Sequence, residues 1–126
     1  FHLVRELLDR RGIRFRRIRQ SNYGAQLAAL IRKREPGRAV DRLLVAGLIE
    51  ARSCERFDLL RGHLDDVELA DFYGSLFESE ASHHATYVRC ARDYACDEEV
   101  NQRLHELACL EARIIEAGDP LPRMHS

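Results

Sequence analysis

No stretch of the sequence approaches the roughly 18 consecutive apolar residues of a membrane span. The N-terminus also lacks the basic, apolar, small-residue order of a secretory signal, so a cytoplasmic location is expected. Cysteine is sparse: Cys54, Cys90, Cys96 and Cys109 form no C-x-x-C pair, which argues against a zinc ribbon or a thioredoxin-type dithiol. Each falls in a helical pattern, where a free thiol is expected to be buried and to act as a small hydrophobe. Period-two alternation of useful length is missing as well, and that argues against a sheet.

What is present suits one helical domain over residues 1–126, with 45% apolar and 33% charged residues. Residues 1–11 read as a helix closed by Gly12, and residues 13–20 as a connector with an extended piece. A second helix is expected over 22–34, capped by Ser21, with Tyr23, Leu27, Leu30 and Ile31 inward. Pro36 opens a third helix reaching residue 61. After a turn at 62–66, Asp65 or Asp66 caps a fourth helix running to residue 94. Asp97 caps a fifth over 98–117, ended by Gly118-Asp119-Pro120. Short turns make neighbours antiparallel, hence an up-down bundle. The chain starts on Phe1 inside a helical pattern with no cap ahead of it, so a segment upstream is expected.

Chemistry concentrates on two stripes. On the third helix Val40, Leu43, Gly47, Glu50, Cys54 and Phe57 recur at steps of three and four. On the fourth, Leu69, Phe72, Tyr73, Leu76, Glu80, His83, Tyr87 and Cys90 do the same. Both stripes are expected to be buried, and both are apolar except at Glu50, Glu80 and His83. A bare carboxylate in a core costs several kcal/mol and ordinarily takes up a proton, so these charges need compensation. Glu50 lies 14 residues before Leu64 and Glu80 lies 16 after it. At about 1.5 Å per residue, both sit roughly 21 to 24 Å from the turn and face each other. Glu80-Ala81-Ser82-His83 is also a Glu-x-x-His, whose spacing aims both side chains the same way. Ferritin-like di-metal proteins draw a lone Glu from each of two helices and a Glu-x-x-His from each of the other two. The same pattern also suits a buried Glu50–His83 hydrogen-bonded pair, or exposed residues on a helix rotated from this assignment. Glu111, on the inner stripe of the last helix, suits a cross-helix ion pair.

Charge is divided along the chain. Residues 1–42 carry 12 Lys and Arg against 4 Asp and Glu, while the remaining 84 carry 8 against 17. The strip that includes Arg11, Arg14, Arg16, Arg17 and Arg19 reads equally as a solvated loop anchoring Ile13, Phe15 and Ile18 or as a phosphate-contacting surface.

The blocks Ile49-Glu50-Ala51-Arg52-Ser53-Cys54-Glu55-Arg56-Phe57 and Ser79-Glu80-Ala81-Ser82-His83-His84-Ala85-Thr86-Tyr87 are specific. With Glu35-Pro36, Val40-Asp41-Arg42-Leu43-Leu44 and the tail from Gly118 to Ser126, they resemble the tRNA 2-methylthio-N6-isopentenyladenosine hydroxylase family along nearly the whole chain. The resemblance implies a ferritin-like di-iron monooxygenase that uses O2 and an external electron donor to hydroxylate the isopentenyl group beside the anticodon. It further implies that Glu50, Glu80 and His83 bind iron and that tRNA is the partner of the arginines. Two departures follow. Ser82 stands where the family usually has Arg. The family's earlier Glu helix and other Glu-x-x-His helix precede the region matched, so three of six ligands, weak iron binding and a truncated member are expected. A homodimer that reassembles the site, or a non-catalytic tRNA-binding helical module, is the alternative.

Overall fold

Apolar residues spaced three and four apart set helices along the chain, and the computed structural model describes residues 2–81 and 83–120. Among these residues are six helices: α1 (His2–Arg10), α2 (Tyr23–Ala29), α3 (Gly37–His63), α4 (Val67–Glu80), α5 (His83–Ala91) and α6 (Asp97–Ala117). The all-helical expectation holds. Phe1, Ser82 and residues 121–126 lie outside the described residues, and with them the readings placed on the chain's start, on Ser82 and on the tail.

Local chemistry explains most helix ends. Gly12, at φ 64°, closes α1 as Gly12 N–H bonds to Asp9 O and Ile13 N–H to Leu8 O. Asp66 caps α4 as expected, its carboxylate accepting from Leu69 N–H at 3.0 Å. Two other caps differ. Asn22, without a side-chain bond, precedes α2 in place of Ser21, and its N–H is taken by Asp119 at 2.8 Å. Cys96 precedes α6, leaving Asp97, Glu98 and Glu99 in the first turn, where acidic charge complements the helix dipole. The expected long fourth helix is two elements: Ala81 closes α4 by bonding to Phe77 O, and α5 begins at His83.

The core gathers where α2, the N-terminal half of α3, α5 and α6 meet. It holds Tyr23, Leu27, Val40, Leu44, Val45, Leu48, Val88, Ala91, Val100 and Leu107. Each fully buried leucine contributes about 2 kcal/mol of apolar burial. A buried ion cluster ties the elements together. Asp41, fully buried, accepts from Arg32 N–H at 2.8 Å, from Arg32 Nη2 at 3.0 Å and from Arg103 Nε and Nη2 at 2.9 Å each. Burial alone pushes the Asp41 carboxyl upward, but these donors hold it below the usual carboxylate range. Gly37 makes room for the cluster, since a Cβ there would lie 2.8 Å from Arg32 Nε.

Burial departs from the expected stripes. On α3 the buried face is Gly37, Val40, Asp41, Leu44, Val45, Gly47 and Leu48, while its C-terminal half is at most half-buried. No residue of α4 is fully buried. The reason is coverage: α2 and α6 pack on α3 beside the core, whereas α4 lies against the C-terminal part of α3 with its outer face open. The cysteines follow suit. All four are free, but Cys54 and Cys90 are half-buried and Cys96 and Cys109 exposed, correcting the expectation of buried thiols. Among the described residues, no helix is long and apolar enough to cross a membrane.

Candidate metal centre

Glu50 projects from the middle of α3, Glu80 is the final residue of α4, and His83 is the first of α5. The register counted from the turn is correct, and the three side chains converge. Each offers one ligand atom, and these atoms lie within 4.8 Å of one another. His83 Nδ1 is 2.6 Å from Glu80 Oε2. The expected burial is not found, however: Glu50 and Glu80 are half-buried and His83 is exposed. The exposed alternative holds for His83 alone, while the convergence argues against a simple helix misrotation.

The electrostatics of the group are those of crowded like charges. Burial, then the hydrogen-bonding approach and charge of Glu80, raise the Glu50 carboxyl above its ordinary range, and His83 pulls it back only in part. Cys54, one turn further along α3, has its thiol pushed up by burial and then by the charges of Glu50 and Glu80. Two carboxylates and an imidazole are hard and borderline donors, a set suited to iron or another divalent cation, while a protonated thiol is a poor ligand.

Besides Asp41, a second carboxylate is buried. Glu111, 2% exposed, accepts from Tyr23 OH at 2.5 Å and from Arg52 Nη2 at 3.2 Å. Arg52 also reaches Glu55 at 2.5 Å. The cross-helix ion pair expected of Glu111 is therefore present. Burial and then Glu111 raise the Tyr23 hydroxyl, which stays protonated and donating. Phe57 and Tyr73 pack at 5.9 Å between ring centroids, walling the α3–α4 side. An open groove of about 760 Å³ is lined by Asp58, Arg61, Asp71 and Glu78 among others and includes none of the three converging residues.

The basic strip divides. Arg11 is held by Asp66 at 2.7 Å and Glu68 at 2.6 Å, docking the end of α1 onto the start of α4. Arg14, Arg16, Arg17 and Arg19 lie on the exposed connector. Ile13, Phe15 and Ile18 are not anchored inward: they are 51%, 58% and 64% exposed. Sequence reasoning missed Asp41 and its arginines. Their signal was there, since Asp41 is in helical phase with Leu44, Val45 and Leu48.

The family model described as tRNA-(MS[2]IO[6]A)-hydroxylase (MiaE) matches residues 1–126. The chain is 38% identical over 123 residues to a tRNA 2-(methylsulfanyl)-N(6)-isopentenyladenosine(37) hydroxylase of Pseudomonas putida, covering 98% of this chain and 60% of that protein. It is 36% identical over 126 residues to the hydroxylase of the same name from Salmonella typhimurium, covering 100% of this chain and 46% of that one. The chain thus spans about half the length of these curated relatives. A solved structure, Protein 43 with aldehyde deformylating oxygenase activity from Synechococcus, superposes with a TM-score of 0.91 at 39% identity, over 99% of this chain and 64% of that one.

Proposed function

This chain belongs to the tRNA-(MS[2]IO[6]A)-hydroxylase (MiaE) family, and from that premise we propose that it supplies half of the metal ligands of an O2-dependent, ferritin-like di-iron tRNA hydroxylase. The observation that carries the reading is the convergence of Glu50, Glu80 and His83 within 4.8 Å. These three donors make half of the set of four Glu and two His in such a centre. Two negative carboxylates held together, one of them with a raised pKa, favour a divalent cation between them. Bound iron would supply the activation of O2, chemistry that side chains lack, with the electrons coming from an external donor.

The chain's own residues have distinct tasks in this reading. Glu50 and Glu80 neutralise the cations, and Glu80 orients the His83 ring through the 2.6 Å contact at Nδ1. Phe57, Tyr73 and Leu76, half-buried, exclude water from one side. The substrate proposed is the isopentenyl group of 2-methylthio-N6-isopentenyladenosine in tRNA, and the cytoplasm is the proposed location. The exposed Arg14, Arg16, Arg17 and Arg19 would contact phosphates, with Phe15 among them as an aromatic face for a base. Arg11, paired with Asp66 and Glu68, borders that set at the end of α1.

Fe(II) titration of the 126-residue chain tests the metal part. Binding is expected in the wild type and lost in Glu80→Gln and in His83→Ala. Undiminished binding by both variants would remove these residues from the centre. For the reaction, mass spectrometry of nucleosides from 2-methylthio-N6-isopentenyladenosine-containing tRNA should find the hydroxylated product only when iron, O2, an electron donor and the other half of the ligand set are supplied, and little or none with this chain alone.

A further inference from the structure

The Glu-x-x-His pair is split between two helices, since α4 ends at Glu80 and α5 starts at His83. Continuous helical periodicity therefore does not by itself keep His83 beside Glu50 and Glu80. The adjacent residue supplies a tether. His84 Nδ1 lies 2.9 Å from Gly47 O, on α3 one turn before Glu50. A carbonyl only accepts, so Nδ1 carries the proton and donates. The His84 ring also borders a cavity of about 380 Å³ lined by Leu48, Asn101, Leu104 and His105. Gly47 is buried at the close approach of the two helices. A Cβ there would lie 3.4 Å from both His84 Nδ1 and Tyr87 Cβ, at the near edge of ordinary van der Waals contact, so only a larger side chain would press on the first turns of α5.

We propose that His84 and Gly47 form a positioning pair that sets α5 against α3 and so holds His83 in reach of Glu50 and Glu80. The inference rests on the reading that those three residues hold iron. Its scale follows from helix geometry. A slip of α5 by one turn along α3 moves His83 by about 5.4 Å, more than the 4.8 Å across which the three donors converge. The bond lies one residue from His83 and one turn from Glu50.

Three variants of the full chain test this. His84→Asn keeps an N–H donor on the γ carbon, where Nδ1 sits; His84→Leu fills the volume without a donor; Gly47→Leu places a branched side chain in the contact and pushes the helices apart. In metal-free protein, nuclear Overhauser contacts between the His83 ring and the Glu50 side chain are expected in the wild type and His84→Asn and lost in His84→Leu and Gly47→Leu. Fe(II) affinity should fall about tenfold in the latter two, as for other residues that orient a metal ligand, and recover in His84→Asn. Retention of both the Overhauser contact and the affinity in His84→Leu would overturn the proposal, as would a His84→Asn variant as impaired as His84→Leu. Were the folded wild type to bind no Fe(II), the metal reading would fall, while the Overhauser comparison would still decide the pair.

Discussion

Glu50→Gln should move stability and metal binding in opposite directions. In the metal-free chain Glu50 and Glu80 offer oxygens within 4.8 Å of each other, and the Glu50 carboxyl is raised by burial and by Glu80. Both residues are half-buried, so a water-like dielectric applies, and two unit charges at that separation repel by about 1 kcal/mol. The amide removes this repulsion while keeping shape, so the variant should melt about 4 °C higher near pH 7.5. The pH dependence has a definite sign. A carboxyl whose folded pKa is raised contributes stability that is fully present below its unfolded value, about 4.3, and is lost as pH rises through the folded value. Wild type and variant should therefore melt together near pH 4 and separate as pH rises. The groups held low, Asp66 at about 2 among them, are common to both proteins and cancel. Calorimetry across pH checks the stability arm, and Fe(II) titration should show affinity lowered by about tenfold or more. A variant that melts at or below the wild type throughout this range, or that binds Fe(II) as tightly, would refute the reasoning.

Arg52→Met keeps the apolar stem but removes the charge facing Glu111, which is 2% exposed. Breaking a fully buried pair costs 3–5 kcal/mol; with Arg52 28% exposed the loss should be about 2 kcal/mol, read as a lower denaturant midpoint, and adding Glu111→Gln should restore part of it. A midpoint unchanged in Arg52→Met would show that Tyr23 alone satisfies Glu111. Replacing Arg14, Arg16 and Arg17 together with Ser should weaken tRNA binding and flatten its log–log salt dependence by about 0.7 to 0.9 per lost contact. Filter binding across salt concentrations measures this, and an unchanged slope would take the connector out of the interface.

How much was legible in the sequence can be argued from particular residues. Helix periodicity, Gly12, Asp66 and Gly118 are local signals, and each marks a helix boundary found in the structure. The meeting of Glu50 with Glu80 was legible because an antiparallel pair across a short turn preserves register at a constant rise per residue. The division of the fourth helix was not, because Ala81 and His83 lie in an unbroken helical pattern. Asp41 was overlooked because the stripe chosen on α3 was too narrow; the buried face is wider, and an acidic residue on it gains its place only through Arg32 and Arg103 from elsewhere in the chain.

By itself, then, the sequence determined the helical class, the helix boundaries at Gly12, Asp66 and Gly118, and the level at which two carboxylates and an imidazole meet, since these follow from local chemistry and from spacing along a helix of constant rise. Only the tertiary structure decided which faces are covered, that the three donors stand half-open rather than buried, that Arg11 is paired with Asp66 and Glu68, and that His84 bonds to Gly47. Those outcomes depend on which surfaces distant segments bring together, and no local spacing encodes them.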